Sequence, residues 1–219
     1  MPVKSFARAK QRLSDVLDGS ERAALARELA ARVLRAAGSC ACFVACDCED
    51  VATWASERGA GILWTPGLGL SGAVTEAVRR LGVAGYDHAV VAHSDLALVE
   101  SLECFGLPDT VTIAPDRTRL GSNVISLPTS SGFVFSYGTG SFERHRVEAA
   151  RLGLPCVVVD DDRLATDVDL PMDLASLPEH YRPESITRSR EQPDARACER
   201  QGKLAAKDLP LVPAIEVVL

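Results

Sequence analysis

The chain has 219 residues, of which 47% are hydrophobic and 25% charged, and a formal net charge of −6. That length fits one domain, or one domain plus a tail, with enough apolar content for a sizeable core, and the acidic balance argues against a nucleic-acid surface. No apolar run approaches the roughly 20 residues of a bilayer span, no apolar segment follows the cationic start as in a secretory signal, and an odd count of seven cysteines in apolar segments points to reduced thiols in a cytoplasm.

The first element is cationic. Lys4, Arg8, Lys10 and Arg12 fall within nine residues of an otherwise acidic protein. Lysine and arginine offer charge-assisted donors to phosphate oxygens, so a polyphosphate is the ligand they suit. The alternative is a solvated, slightly basic helix start.

Asp18-Gly19-Ser20 closes a turn and offers Ser20 as an N-cap. Leu25, Leu29 and Val33 recur at i+4 and predict a helix from Glu21 to Ala37, with Gly38 at its C-terminal end. Cys40-Ala41-Cys42-Phe43-Val44-Ala45-Cys46-Asp47-Cys48 invites a metal-site reading. A strand over Ala41–Cys46 is the better one: its outer cysteines would lie about 26 Å apart, too far to share a zinc ion. A helix over Glu49–Arg58 and a strand over Ile62–Trp64 follow, then a glycine-rich loop, Thr65–Gly72, and a helix over Ala73–Leu81. His88-Ala89-Val90-Val91-Ala92-His93 has the continuous apolar character of a strand buried on both faces of a parallel sheet. It ends at Ser94-Asp95, before a short helix over Leu98–Phe105.

Val111–Ala114 is a further strand. Asn123–Leu127 and Gly132–Ser136 are expected as β-structure around Pro128-Thr129-Ser130-Ser131. Tyr137-Gly138-Thr139-Gly140 leads into a helix over Ser141–Leu152, and Cys156–Asp160 is the last clear strand. From about Pro183 the texture turns to Arg, Glu, Gln and Pro. Residues 1–180 therefore read as one domain and 181–219 as a flexible or loosely docked tail, whose end, Leu209–Leu219, is apolar enough to dock in extended form.

Alternating strands and helices predict a mainly parallel α/β sheet, with ligands beyond the carboxyl ends of its strands. Asp95 lies there and could hold Mg²⁺; its alternative role is an N-cap. Asp167 and Asp169 form a second acidic pair, able to complete a metal site or to cap the helix after Pro171. Asp160-Asp161-Asp162 suits a solvated loop. Gly67-Leu68-Gly69-Leu70-Ser71-Gly72 could pass close to a base or a phosphate, but no carboxylate is placed for a nicotinamide ribose except Asp87. Gly138–Ser141 at a helix start suits an anion, with His145 one turn on. No Ser–His–Asp or Cys–His set is apparent. Phosphoryl or nucleotidyl transfer, which relies on positioning and charge, fits these parts.

The motifs resemble those of the 2-phospho-L-lactate and phosphoenolpyruvate guanylyltransferases of coenzyme F420 biosynthesis. Pro2-Val3-Lys4 with Arg8-Ala9-Lys10-x-Arg12-Leu13, Gly67–Ser71, Ser94-Asp95-Leu96-Ala97-Leu98, Asp116-Arg117 with Gly121-Ser122-Asn123, Tyr137–Phe142 with His145, and Asp167–Leu174 carry it, in order. The resemblance implies a Rossmann-like, GT-A-like nucleotidyltransferase fold, a three-layer sandwich around a mainly parallel sheet. It implies GTP and a phosphorylated three-carbon acid (2-phospho-L-lactate, phosphoenolpyruvate or 3-phosphoglycerate) as substrates, with pyrophosphate released and Mg²⁺ as cofactor. It implies that Lys4, Arg8 and Lys10 hold the triphosphate and act in catalysis, and that Val3, Lys4, Gly69, Ser71 and Ser94 contact the nucleotide. Ser122, Gly138 and Ser141 would hold the acid, and Asp95, Asp116 and Asp169 the metal. Neither nucleic acid nor membrane is an implied partner, and a homodimer stays open. The alternatives are a nucleotidyltransferase acting on a sugar phosphate or molybdopterin, and a catalytically weakened nucleotide-binding protein. The family has an apolar strand ahead of Pro-Val-Lys, where only Met1 stands here, so a misassigned start or a missing central strand is expected. Ser71 replaces Asn, Ala97 replaces Pro, and Ser122 replaces Thr.

Overall fold

The computed structural model describes residues 2–3, 5–181 and 216–218. Its first long helix, α1 (Gly19–Ala36), starts at Asp18, whose carboxylate accepts from the N–H groups of Ser20 and Glu21 while Glu21 accepts from the Asp18 N–H. The N-cap is thus Asp18 and not the expected Ser20. A carboxylate satisfies two of the helix's orphan donors and also complements its positive end. Leu25, Leu29 and Val33 are buried along one stripe, each worth about 1.5–3 kcal/mol of removal from water.

The strands are β1 (Pro2–Val3), β2 (Cys42–Cys46), β3 (Gly61–Trp64), β4 (His88–Ala92), β5 (Val111–Pro115), β6 (Ser122–Pro128), β7 (Cys156–Val158) and β8 (Glu216–Val218). The helices are α1, α2 (Glu49–Ser56), α3 (Gly69–Val83), α4 (Ser141–Arg151), α5 (Asp162–Ala165) and α6 (Pro171–Ser176). Across the sheet the order is β3, β2, a lane shared by β1 and β8, then β4, β6, β5 and β7. β6 runs antiparallel to β4 and β5, and every other pairing is parallel.

Alternation along each strand builds three layers. Val44, Cys46, Val90 and Ala92 face α1 and α2 in one core, while Ala45, Ala89, Val91 and Ile113 face α3 and α4 in the other. The cysteines of the 40–48 segment keep to this plan: Cys46 is buried, and Cys40, Cys42 and Cys48 are half-buried. Burial pushes the Cys42 thiol up to about 11, which makes it a poor nucleophile.

Four expectations are corrected. The helix α3 starts at Gly69, so Gly69–Gly72, expected as loop, is its first turn, entered through positive φ at Gly67 and Gly69. The segment 98–105 is not helical, because its surroundings claim its backbone: the preceding Leu96 bridges to Asp167, and the Leu102 N–H donates to the Ala36 carbonyl. Gly132–Ser136 forms no strand, since the Phe135 and Ser136 amides donate to Thr75 Oγ and His145 Nε2 instead of a neighbouring strand. Of the two readings of the short start, a missing central strand is not what the fold shows, since the lane beside β2 holds β8. Of the expected tail, residues 182–215 lie outside the described residues.

Replacing Asp18 with Ala should cost about 1 kcal/mol in urea unfolding. Ser20→Ala should cost less, because the cap belongs to Asp18.

Candidate active site

A small satellite core assembles the site. Leu13 and Leu17 pack with Leu25 and Leu29 of α1, with Ala97 after β4, and with Val168 and Leu177. Backbone bonds stitch the same segments together: Val168 N–H donates to the Asp95 carbonyl and Ala97 N–H to that of Thr166, each at 3.2 Å. Arg32 of α1 donates to the Ala97 carbonyl. With the apolar residues buried, the charged residues between them converge at the carboxyl ends of β1 and β4, the ligand edge of such a sheet.

Lys10 sits between buried Phe6 and Leu13 with φ 52°, a left-handed backbone costly for a side-chain-bearing residue. Its Nζ donates to Asp95 Oδ2 at 2.7 Å and to Asp169 Oδ1 at 3.1 Å, and its side chain is only 8% exposed. Burial pulls the ammonium pKa down, but the two carboxylates outweigh it and leave it raised. Burial likewise pushes Asp95 up, and Lys10, with a smaller contribution from His93, reverses this and holds it below the usual carboxylate range. Arg12 reaches Asp169 at 3.5 Å from the exposed side.

Asp95 Oδ1 is buried and has no hydrogen-bond partner among the described residues. It belongs to a cavity of 180 Å³ lined by Val3, Ser5, Phe6, Lys10, Ser94, Asp95 and Asp169, among others. Asp167 lies beside it. Burial, and then the negative charge of Asp95, raise its carboxyl to about 6, while Asn123 Nδ2 donates to it at 3.4 Å. No group of three or more His, Cys, Asp or Glu side chains among the described residues is placed to hold a metal by itself. Mg²⁺ does not need one, since one or two carboxylates plus substrate phosphates usually suffice. Asp95 and Asp169, already converging on one cation and with one oxygen unsatisfied, fit that requirement.

The structure therefore brings Val3, Lys10, Ser94, Asp95 and Asp169 together. Arg8 lies close by in sequence with its side chain exposed, and Lys4 is outside the described residues. A second group adjoins the first. Ser71 Oγ accepts from the Tyr137 N–H at 2.9 Å, and the Tyr137 ring lies 5.2 Å from that of His93, next to Ser94. Gly69 has open space where a Cβ would stand.

Three expected residues are placed otherwise. Asp116 does not lie with Asp95 and Asp169: it accepts from Thr118, Leu120 and Gly121 amides and from the Thr118 hydroxyl, and lines a separate 390 Å³ cavity. A Cβ on Gly121 would come within 2.7 Å of Asp116 Oδ2, so glycine lets this loop close around its carboxylate. Ser122 and Ser141 face inward, each 1% exposed. Ser141 Oγ accepts from the Ser122 N–H at 3.2 Å, and His145 Nδ1 lies 3.0 Å from Ser122 Oγ. His145 Nε2 accepts from the Ser136 amide, so Nδ1 carries the proton and donates to Ser122. Burial pushes this histidine down to about 4. Gly138 stays at the turn, where Arg144 donates to the carbonyls of Ser136 and Thr139.

Sequence reasoning passed over His93. It is half-buried, its buried Nε2 has no partner among the described residues, and burial lowers its pKa. A histidine ending an apolar strand two residues before a carboxylate was the available signal.

A profile described as "Guanylyl transferase CofC like" matches residues 1–187. The chain belongs to this family. It is 36% identical over 186 residues to the phosphoenolpyruvate guanylyltransferase of Rubrobacter xylanophilus, covering 81% of this chain and 91% of that protein. It is also 36% identical over 185 residues to the 2-phospho-L-lactate guanylyltransferase of Halorubrum lacusprofundi, covering 79% and 80%. The fold matches a crystal structure from Desulfovibrio desulfuricans G20, provisionally named a nucleotide-diphospho-sugar transferase, with TM-score 0.63 and 18% identity over 86% of this chain and 91% of that one. This CofC-like guanylyl transferase is thus a nucleotidyltransferase of Rossmann-like fold, with its charged centre at the ligand edge of the sheet.

Two measurements check these electrostatics. Lys10→Met should lower stability at pH 7 by about 3 kcal/mol, because it strands a buried carboxylate, and the deficit should shrink as pH falls toward 4 and Asp95 takes a proton. Asp167 titrates near 6 in the fold and near 3.9 unfolded, so its ionised form costs stability increasingly from about pH 4 to 6. Asp167→Asn should gain on the native chain across that window, by about 1–2 kcal/mol after solvent screening, and then level off. A flat difference in melting temperature over pH 4–7 would refute this.

Proposed function

We propose that the chain transfers GMP from GTP to the phosphate of a phosphorylated three-carbon acid, with phosphoenolpyruvate first and 2-phospho-L-lactate second, in coenzyme F420 biosynthesis. The carrying observation is the Lys10–Asp95–Asp169 centre, with a buried, unsatisfied carboxylate oxygen in the cavity that Val3 and Ser94 also line. At 180 Å³ this cavity is smaller than the roughly 300–1,000 Å³ typical of a whole-ligand pocket. That size suits the phosphates, with the nucleoside reaching toward the start of α3 at Gly69 and Ser71.

The reaction is an in-line displacement. An oxygen of the acceptor phosphate forms a bond to the GTP α-phosphorus, the bond from that phosphorus to the bridging oxygen of the β-phosphate breaks, and pyrophosphate leaves with the electron pair. Lys10, with Arg8, Arg12 and Lys4, supplies cationic donors that neutralise the pentavalent α-phosphate and the departing pyrophosphate. The buried position of Lys10 keeps its ammonium oriented without reorganisation by solvent. Mg²⁺, when bound to Asp95 and Asp169, supplies Lewis-acid stabilisation of the phosphates. The Ser71–Tyr137–His93 contacts brace the rim on the side of α3, and the Ser122–Ser141–His145 bonds brace the turn that carries Gly138. The six described cysteines are free thiols, which supports a cytoplasmic setting. No described helix is long and apolar enough to cross a membrane. Family membership disfavours both the sugar-phosphate or molybdopterin acceptor and the weakened-enzyme readings.

With GTP, Mg²⁺ and phosphoenolpyruvate, pyrophosphate release should be readily measured, and Asp95→Asn should lower kcat/KM at least about 100-fold with an unchanged circular dichroism spectrum. Absence of release with phosphoenolpyruvate, phospholactate and phosphoglycerate alike would defeat the reading.

A further inference from the structure

The lane between β2 and β4 is built from the two ends of the chain. Along β2, Cys42 pairs with Val217 and Phe43 with Val218, both from β8, whereas Ala45 pairs with Pro2 and Cys46 with Val3, both from β1. Both pieces run parallel to β2, so they follow one another in the same direction, and Val44 alone separates their pairing partners. On the other side β8 also pairs with β4, matching Glu216, Val217 and Val218 to Ala89, Val90 and Val91. β1 has no described pairing with β4.

Among the described residues β8 is therefore the only strand joining the β1–β2–β3 part of the sheet to the β4–β6–β5–β7 part. The first part leads from Val3 into Ser5–Lys10, and the second ends at Ser94 and Asp95. We infer that Glu216–Val218 and Pro2–Val3 are the two halves of one split central strand, and that the C-terminal half holds together the parts of the sheet from which the charged centre is assembled. A two-residue strand paired on one side has few bonds with which to set its own register. β8, bonded on both sides and directly behind β1, defines the lane that β1 extends. The register also states how the ends would join. With Val218 opposite Phe43 and Pro2 opposite Ala45, one residue spans the gap, so Leu219 linked directly to Pro2, with Met1 omitted, would complete an uninterrupted strand.

Hydrogen exchange and a circular permutant test this without relying on the proposed reaction. In the full chain, the Val217 and Val218 amides should exchange as slowly as those of Val90 and Val91, since both belong to the sheet interior. Exchange at the rate of an unstructured peptide would overturn the inference. Val217→Pro removes a backbone donor from a strand paired on both sides. It should strip protection from β2 and β4 and lower the melting temperature by about 5 °C or more; unchanged protection in 42–46 and 88–92 would also overturn it. The permutant joins Leu219 to Pro2 without Met1 and opens between residues 195 and 196, which cuts no described element. It should fold with the same circular dichroism spectrum, melt no lower than the native chain, and keep β2 and β4 protected. An unfolded permutant, or one with β2 and β4 unprotected, refutes the split strand. Pyrophosphate release is then read on the permutant: a folded permutant as inactive as the native chain would count against the proposed reaction and leave the split strand standing.

Discussion

A single buried ammonium organises the working end of this protein. Taking Lys10 out of water is costly, and it is tolerated because two carboxylates from distant parts of the chain, Asp95 and Asp169, converge on it. Each partner needs the others: without Lys10 the carboxylates would repel, and without them burial alone would pull the ammonium's pKa down. Cationic and anionic groups therefore stand side by side at the ligand edge of the sheet, as the proposed binding of a triphosphate and a metal would need. Lys10 satisfies Asp95 Oδ2 but leaves Oδ1 without a partner among the described residues.

That convergence is imposed by packing. The satellite core of Leu13, Leu25, Leu29, Ala97, Val168 and Leu177 fixes the 5–13, 95–97 and 166–177 segments against one end of α1. The Leu96–Asp167 bridge locks two of them in register. The polar residues among these anchors then have little choice of direction. The left-handed backbone of Lys10 and the raised pKa of Asp167 mark where local preference has yielded to the site. The same logic runs through the sheet, where β8 and β1 share a lane and bring the Lys10 segment beside the end of β4.

Much of this was legible in the sequence. The apolar run His88–Ala92, the i+4 stripe of α1 and the glycine-marked helix starts located most elements to within a few residues, because burial periodicity is a local property. The motifs carrying the family resemblance named Lys10, Asp95 and Asp169, which the fold places together. Other features were set by long-range partners. Asp116, expected with the other two aspartates, instead stands apart from them and accepts from the amides of Thr118, Leu120 and Gly121 in its own loop. The inward direction of Ser122 and Ser141, set by His145 and by each other, is likewise a matter of partners distant in the chain. The expected helix over Leu98–Phe105 is absent because bonds from Ala36 and Asp167 reach that stretch and its approach.

By itself the sequence determined the alternation of strands and helices, the cationic N-terminal segment and the family, since each is written in the spacing of neighbouring residues. The tertiary structure alone decided which charges touch, which carboxylates face a shared cation, and that the last residues of the chain pair within the same lane as the first. Contacts between Lys10 and Asp169, or between Val217 and Val90, join positions far apart in the chain. No local pattern encodes such partners, because they are selected only when the apolar surfaces between them are buried together.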